Sequence, residues 1–140
     1  MTNLPKWFFA TAAIFALCGM IWGIQMSASH DHTLSPAHGH LNLIGFVAMS
    51  IFGTYYALTP KAADSRLAVF HFGLTTMTVL VLTPGIAMAI TDQSETFAQA
   101  GSILAVLSMA LFVFVVFRNG VENAANITYH GRETRPQPAE

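Results

Sequence analysis

The sequence predicts an all-α membrane protein, a bundle of four transmembrane helices, and three observations carry that prediction. Hydrophobic residues make up 54% of the chain and charged residues only 9%, whereas a soluble domain carries about a quarter charged residues. The Asp, Glu, Lys and Arg residues leave four uncharged intervals, at 7–30, 32–60, 67–91 and 96–117. Each interval meets the roughly 20 apolar residues that a helix needs to cross a ~30 Å hydrocarbon core while satisfying its own backbone hydrogen bonds.

The first helix is expected at Trp7–Ser27. Lys6 and the small-residue run Ser27-Ala28-Ser29 imitate a cleavable signal peptide, but the uncharged stretch is much longer than a signal core of ~7–15 residues, which favours a retained helix. Cys18 lies in its middle and is the single cysteine, so a disulfide scaffold and a CxxC-type site are both excluded and Cys18 reads as a small packing residue. Gly19 and Gly23 form a small-xxx-small pattern, which fits either close packing inside the bundle or contact between copies.

The second helix is expected at His38–Thr59, bounded by Pro36, pre-set for a first helical turn, and by Pro60, which cannot continue the helix. The third, Leu67–Ile90, contains Thr83-Pro84-Gly85. Proline there removes a backbone donor and predicts a kink. The fourth spans Phe97–Phe117. Residues 1–118 thus form a transmembrane domain. Residues 119–140 mix Asn, Gly, Arg, Glu and Pro with little apolar content and read as a polar, solvated tail. Asn126-Ile127-Thr128 matches a glycosylation acceptor, but three residues are a weak pattern and it falls on the cytoplasmic side of the topology below.

Orientation follows from the cations. With the N-terminus cytoplasmic, Lys6, Lys61, Arg66, Arg118, Arg132 and Arg135 all lie inside, and the two outer loops hold only Asp31, Asp92 and Glu95. Both termini are then cytoplasmic. The formal net charge of −1 comes with no basic patch beyond these flanks, which argues against nucleic acid as a partner.

Four of the six histidines fall within eleven residues: His30 and His32 in the first outer loop, His38 and His40 at the outer start of the second helix. Imidazole is a common ligand for haem iron, copper and zinc, and ionisable groups at a membrane are functional candidates. Two residues apart on a helix means about 200° of rotation, so His38 and His40 point to nearly opposite sides and do not easily share one metal ion. Asn42, one turn below His38, is placed to orient it or a ligand, or to act as glue between helices. Ser29-His30-Asp31-His32 offers two imidazoles and a carboxylate to copper or zinc, with Met26 a turn earlier as a soft ligand; the plain alternative is an exposed polar loop. Met88 could approach the same face, but a methionine near a helix end more often fills a core. His71 lies about one turn inside the opposite face, roughly 30 Å away at ~1.5 Å per residue, and reads as a hydrogen-bonded structural histidine. His130, in the tail, reads as solvated.

The segment Ala37-His38-Gly39-His40-Leu41-Asn42-Leu43-Ile44-Gly45-Phe46, followed by Ile51-Phe52-Gly53 and Tyr55-Tyr56-Ala57-Leu58-Thr59-Pro60, resembles subunit I of the haem-copper oxidase superfamily. The His-x-His at a helix start is similar to the tenth-helix motif of the oxidases, in which one histidine ligates the high-spin haem and the next but one ligates the low-spin haem. His40-Leu41-Asn42-Leu43 resembles the low-spin haem ligand region of the related nitric oxide reductases. The resemblance is specific over about 25 residues and includes a further His71-Phe72. Neither a Tyr-His-containing copper helix nor a His-His pair is present, so it does not extend to a complete oxygen-reducing centre.

The resemblance implies a small single-module relative, in a bacterial inner membrane, that binds haem b through His38, His40 and Asn42. The oxidase subunit resembles three four-helix arcs about a pseudo-threefold axis, so it also implies a homotrimer mimicking the twelve-helix core, with a role in electron transfer or gas binding. Two other functions stay open. One is copper or zinc handling without haem through His30, His32, His38 and His40. The other is a structural or assembly subunit whose histidines make only hydrogen bonds. No nucleophile-base-orienter set and no phosphate-cradling glycine loop is present, which leaves hydrolases and nucleotide enzymes unsupported.

Overall fold

The computed structural model describes residues 3–121. The tail beyond them, with Asn126-Ile127-Thr128, His130, Arg132 and Arg135, lies outside the described residues. Four helices are long and apolar enough to cross a membrane: Leu4–Ser29, Ser35–Leu58, Arg66–Ile90 and Thr96–Asn119. They are called here the first to fourth spans. No strand occurs among the described residues.

Each span starts one to three residues earlier than the helix expected from the sequence, and proline accounts for the larger extensions. Pro5 and Pro36 sit in the first turns of the first and second spans, where a missing N–H costs nothing. Pro60 ends the second span as expected but opens a separate one-turn helix, Pro60–Ala63. Ser65 caps the third span, its hydroxyl accepting from the Ala68 N–H at 3.2 Å. The third span is one helix from Arg66 to Ile90 with Pro84 inside it.

The second span departs from a plain α-helix in a way the sequence reading did not anticipate. Ser35–His40 is α-helical, Leu41–Ala48 is a π-helix, and Met49–Leu58 is α-helical again. Asn42 supplies a physical reason: its Nδ2 donates to the His38 carbonyl at 2.9 Å. That carbonyl is the one an α-helix would offer to the Asn42 backbone N–H. A side chain inserted into the ladder is a recognised cause of local rewinding.

Packing runs in chain order. The third span packs most extensively on the fourth, the first on the second, and the second on the third, while the first and fourth are not packed neighbours. Glycines set the closest approaches: a Cβ on Gly85 would sit 2.6 Å from the backbone of Ala98, and one on Gly101 would sit 2.6 Å from Leu82 Cα. The core lies at the end that carries Lys6, Lys61, Arg66 and Arg118, where Phe8, Phe52, Tyr56, His71 and Val115 are at most 2% exposed. Outward faces carry large apolar side chains, such as Ile24, Ile51, Phe70 and Val106. Such faces belong in lipid rather than water.

Candidate functional site

The four clustered histidines stand at the end of the bundle opposite that core, and the structure gives them unequal surroundings. His38 is half-buried. Its Nε2 lies 3.0 Å from the Gly19 carbonyl of the first span, and its ring meets Trp22 edge-on at 6.0 Å between centroids. Asn42 Nδ2 is also 3.2 Å from His38 Nε2, but both approaches cannot be hydrogen bonds at once. A carbonyl only accepts, so Nε2 carries the proton and donates to Gly19, and the Asn42 donor is spent on the His38 carbonyl.

Gly19 and Gly23 explain why this fits. A Cβ on Gly19 would collide with the Asn42 carboxamide, and one on Gly23 would come within 3.3 Å of His38 Nε2. Of the two roles open to the small-xxx-small pattern, the structure assigns packing inside the bundle: the glycines make room for two polar side chains of the neighbouring span. Cys18, beside them, is exposed on the outer surface of the helix.

His40 is exposed, and, two residues along the helix, it does not share the Gly19 contact that holds His38. His40 Nδ1 lies 2.7 Å from the Pro36 carbonyl, so Nδ1 carries the proton and the lone pair is on Nε2. That arrangement, one nitrogen tied to a backbone carbonyl and the other presented outward, is how ligating histidines are oriented. The adjoining exposed surface is apolar, with Leu43, Phe46 and Val47 each between 42% and 61% exposed.

The loop histidines are exposed. His30 caps the first span in the left-handed conformation, φ 56°. Asp31 is engaged locally: its Oδ1 accepts from the Thr33 N–H at 2.9 Å, and the hydrogen bonds from Thr33 hold its carboxyl below the ordinary 3.8. Met26 is buried and Met88 half-buried. Among the described residues no three His, Cys, Asp or Glu side chains converge as a group able to hold a metal ion.

His71 belongs to another place altogether. It is fully buried, and its Nδ1 lies 3.0 Å from the Tyr56 hydroxyl. Phe52 packs at 4.6 Å and Phe112 stacks at 5.7 Å with an interplanar angle of 18°. Thr75 donates to the His71 carbonyl at 2.8 Å and lies 2.7 Å from Ser108 Oγ. Nε2 of His71 has no hydrogen-bond partner among the described residues. The sequence reading expected a hydrogen-bonded histidine here, and the Tyr56 hydroxyl supplies the bond. The sequence did not show the aromatic enclosure, which is drawn from the first, second and fourth spans.

Compared with known protein families, curated proteins and solved structures, the chain matches none.

Proposed function

We propose that this chain is a membrane-embedded haem-binding subunit in which His40 is an axial ligand. The observation that carries the reading is the state of the His40 ring, with Nδ1 held by the Pro36 carbonyl and Nε2 free at an exposed apolar surface. A haem needs such a nitrogen beside aliphatic and aromatic packing, and Leu43, Phe46 and Val47 supply that packing on the same helix. His38 and Asn42 serve the site from behind. They hold the start of the second span against Gly19 and keep His40 turned outward.

The likeness of Ala37–Phe46 to the haem-copper oxidases supports haem b over a bare metal ion. It also supports a homotrimer, in which the exposed His40 face meets a neighbouring copy. An iron-centred redox couple is what a bound haem would supply, and electron transfer in a bacterial inner membrane is the role it would serve. The even number of spans and the four described cations at one end support cytoplasmic termini with the histidines outside.

The test is an oxidised and reduced visible spectrum of the detergent-purified protein, paired with elemental analysis for iron, copper and zinc. The expected result is a Soret band with sharp reduced bands that His40→Ala abolishes or converts to a high-spin form. Stoichiometric copper or zinc without haem, removed by His30→Ala and His32→Ala, would sink the haem reading and favour the loop as a metal site. No cofactor, with lost stability in His38→Ala alone, would leave a structural subunit.

A further inference from the structure

A cavity of about 140 Å³ lies between the second, third and fourth spans. Its walls include Ile44 and Ala48 from the second span, Thr75 and Thr78 from the third, and Ala105 and Ser108 from the fourth. Ile44 and Ala48 both belong to the π-helical stretch, so the rewound turn forms one side of the chamber. Phe52, 2% exposed, lines it toward the His71 end.

The three hydroxyls do not make the cavity polar. Thr78 donates to the Leu74 carbonyl at 2.8 Å, Thr75 donates to the His71 carbonyl, and Ser108 is left to donate to Thr75 Oγ1. Each hydroxyl proton has a partner within the protein, and the surface offered to a guest is almost wholly carbon. A buried water needs two to four polar partners, whereas an apolar cavity of about 150 Å³ stays dry and accepts benzene or xenon.

Access is lateral. The second and fourth spans meet through rings, Phe52 and Phe112 at 4.4 Å between centroids, while their backbones are not packed against each other. The half-buried Ile44, Ala48 and Ala105 stand beside that gap, and the buried Thr75 and Thr78 close the far side. The chamber is therefore a blind pit opening toward lipid, suited to a compact guest rather than to an extended chain.

We propose that this cavity is a binding site for small apolar molecules, no larger than about benzene, that reach it from the bilayer. It is separate from the His40 surface and stands whether or not His40 ligates haem.

The experiment is xenon titration of the full-length protein by ¹²⁹Xe NMR under pressure, in detergent micelles and in lipid nanodiscs. The expected result is a saturable shift in both media. Ala105→Leu, which fills the pit from the fourth span, should weaken binding at least tenfold. Ala48→Val, a smaller filling from the opposite wall, gives the same reading if Ala105→Leu does not fold. Val113→Leu, on an exposed face away from the cavity, should leave the titration unchanged. A linear shift identical in wild type and filled variants would mean partition into the micelle only and would overturn the proposal. So would saturable binding that survives both fillings. Binding in detergent that vanishes in nanodiscs would assign the space to an acyl chain and overturn it equally.

Discussion

At the scale of single residues, Asn42 and Gly19 form one device. The carboxamide occupies the volume that a side chain at position 19 would need, and its amide holds the His38 carbonyl. Gly19→Ala should therefore destabilise the protein by about 1–3 kcal/mol, the usual cost of overpacking a tight contact. Gly39→Ala, where a Cβ meets nothing within 4 Å, should be neutral or stabilising by about 0.5–1 kcal/mol. Unfolding of both variants in mixed detergent micelles measures the difference. Equal stabilities would sink the argument. Asp31 gives a pH-dependent expectation of its own. Its carboxyl is held low by the Thr33 hydrogen bonds, so the turn is intact above the ordinary carboxylate range and is lost as pH falls through the depressed value. A carbon-detected NMR titration should place the Asp31 midpoint below 3.8, and Thr33→Ala, which removes the hydroxyl contribution, should raise it. The sequence identified Asn42 as an orienting or gluing residue but could not choose between them. The choice depends on which atoms of the first span face it, and a single chain read linearly does not contain that distance.

At the scale of elements, the third and fourth spans form the tightest pair because two glycines meet backbone across the interface. Gly85→Leu and Gly101→Leu each drive a side chain into atoms that cannot rotate away. Each should cost more than the about 1–3 kcal/mol of an ordinary overpacking change, while Gly73→Ala, in open space on the third span, should not destabilise. Tryptophan fluorescence or circular dichroism during thermal unfolding distinguishes the three. The existence and order of the four spans were legible in the uncharged intervals, because membrane length is a strong constraint. Their starts are read one to three residues late, the first because Lys6 sets its limit in the sequence although Pro5 already lies in the first turn. The π-helix was illegible for a different reason. Its residues, Leu41–Ala48, are as apolar as an α-helical run, and the rewinding comes from one side-chain hydrogen bond that hydropathy does not register.

At the scale of the whole molecule, the cations among the described residues, Lys6, Lys61, Arg66 and Arg118, flank span ends on one face of the bundle. Reporter fusions at the two termini should therefore give the same cytoplasmic signal, and a cysteine introduced at His32 should react with a membrane-impermeant thiol reagent from the opposite side. Opposite signals from the two ends would exclude an even number of spans. The histidine cluster was legible as a concentration of imidazoles at one end of the bundle, and the spacing of His38 and His40 already set them on different sides of the helix. The sequence did not reveal that one of them is already committed to the Gly19 carbonyl and the other to Pro36. Those assignments divide the pair into a packing residue and a free donor atom.

The first span begins and the fourth ends at the same end of the bundle, as an even number of crossings requires. Leu4 and Val115 belong to the same cluster of buried side chains, and the Tyr55 hydroxyl donates to the Gly120 carbonyl at 2.8 Å. A second copy of the gene joined in frame behind the first would thus begin on the membrane face where its predecessor finished. Every duplicated unit would keep its original polarity. Tandem fusion is therefore open to this fold in a way it is not for a module with an odd number of crossings, which would arrive inverted at every second repeat.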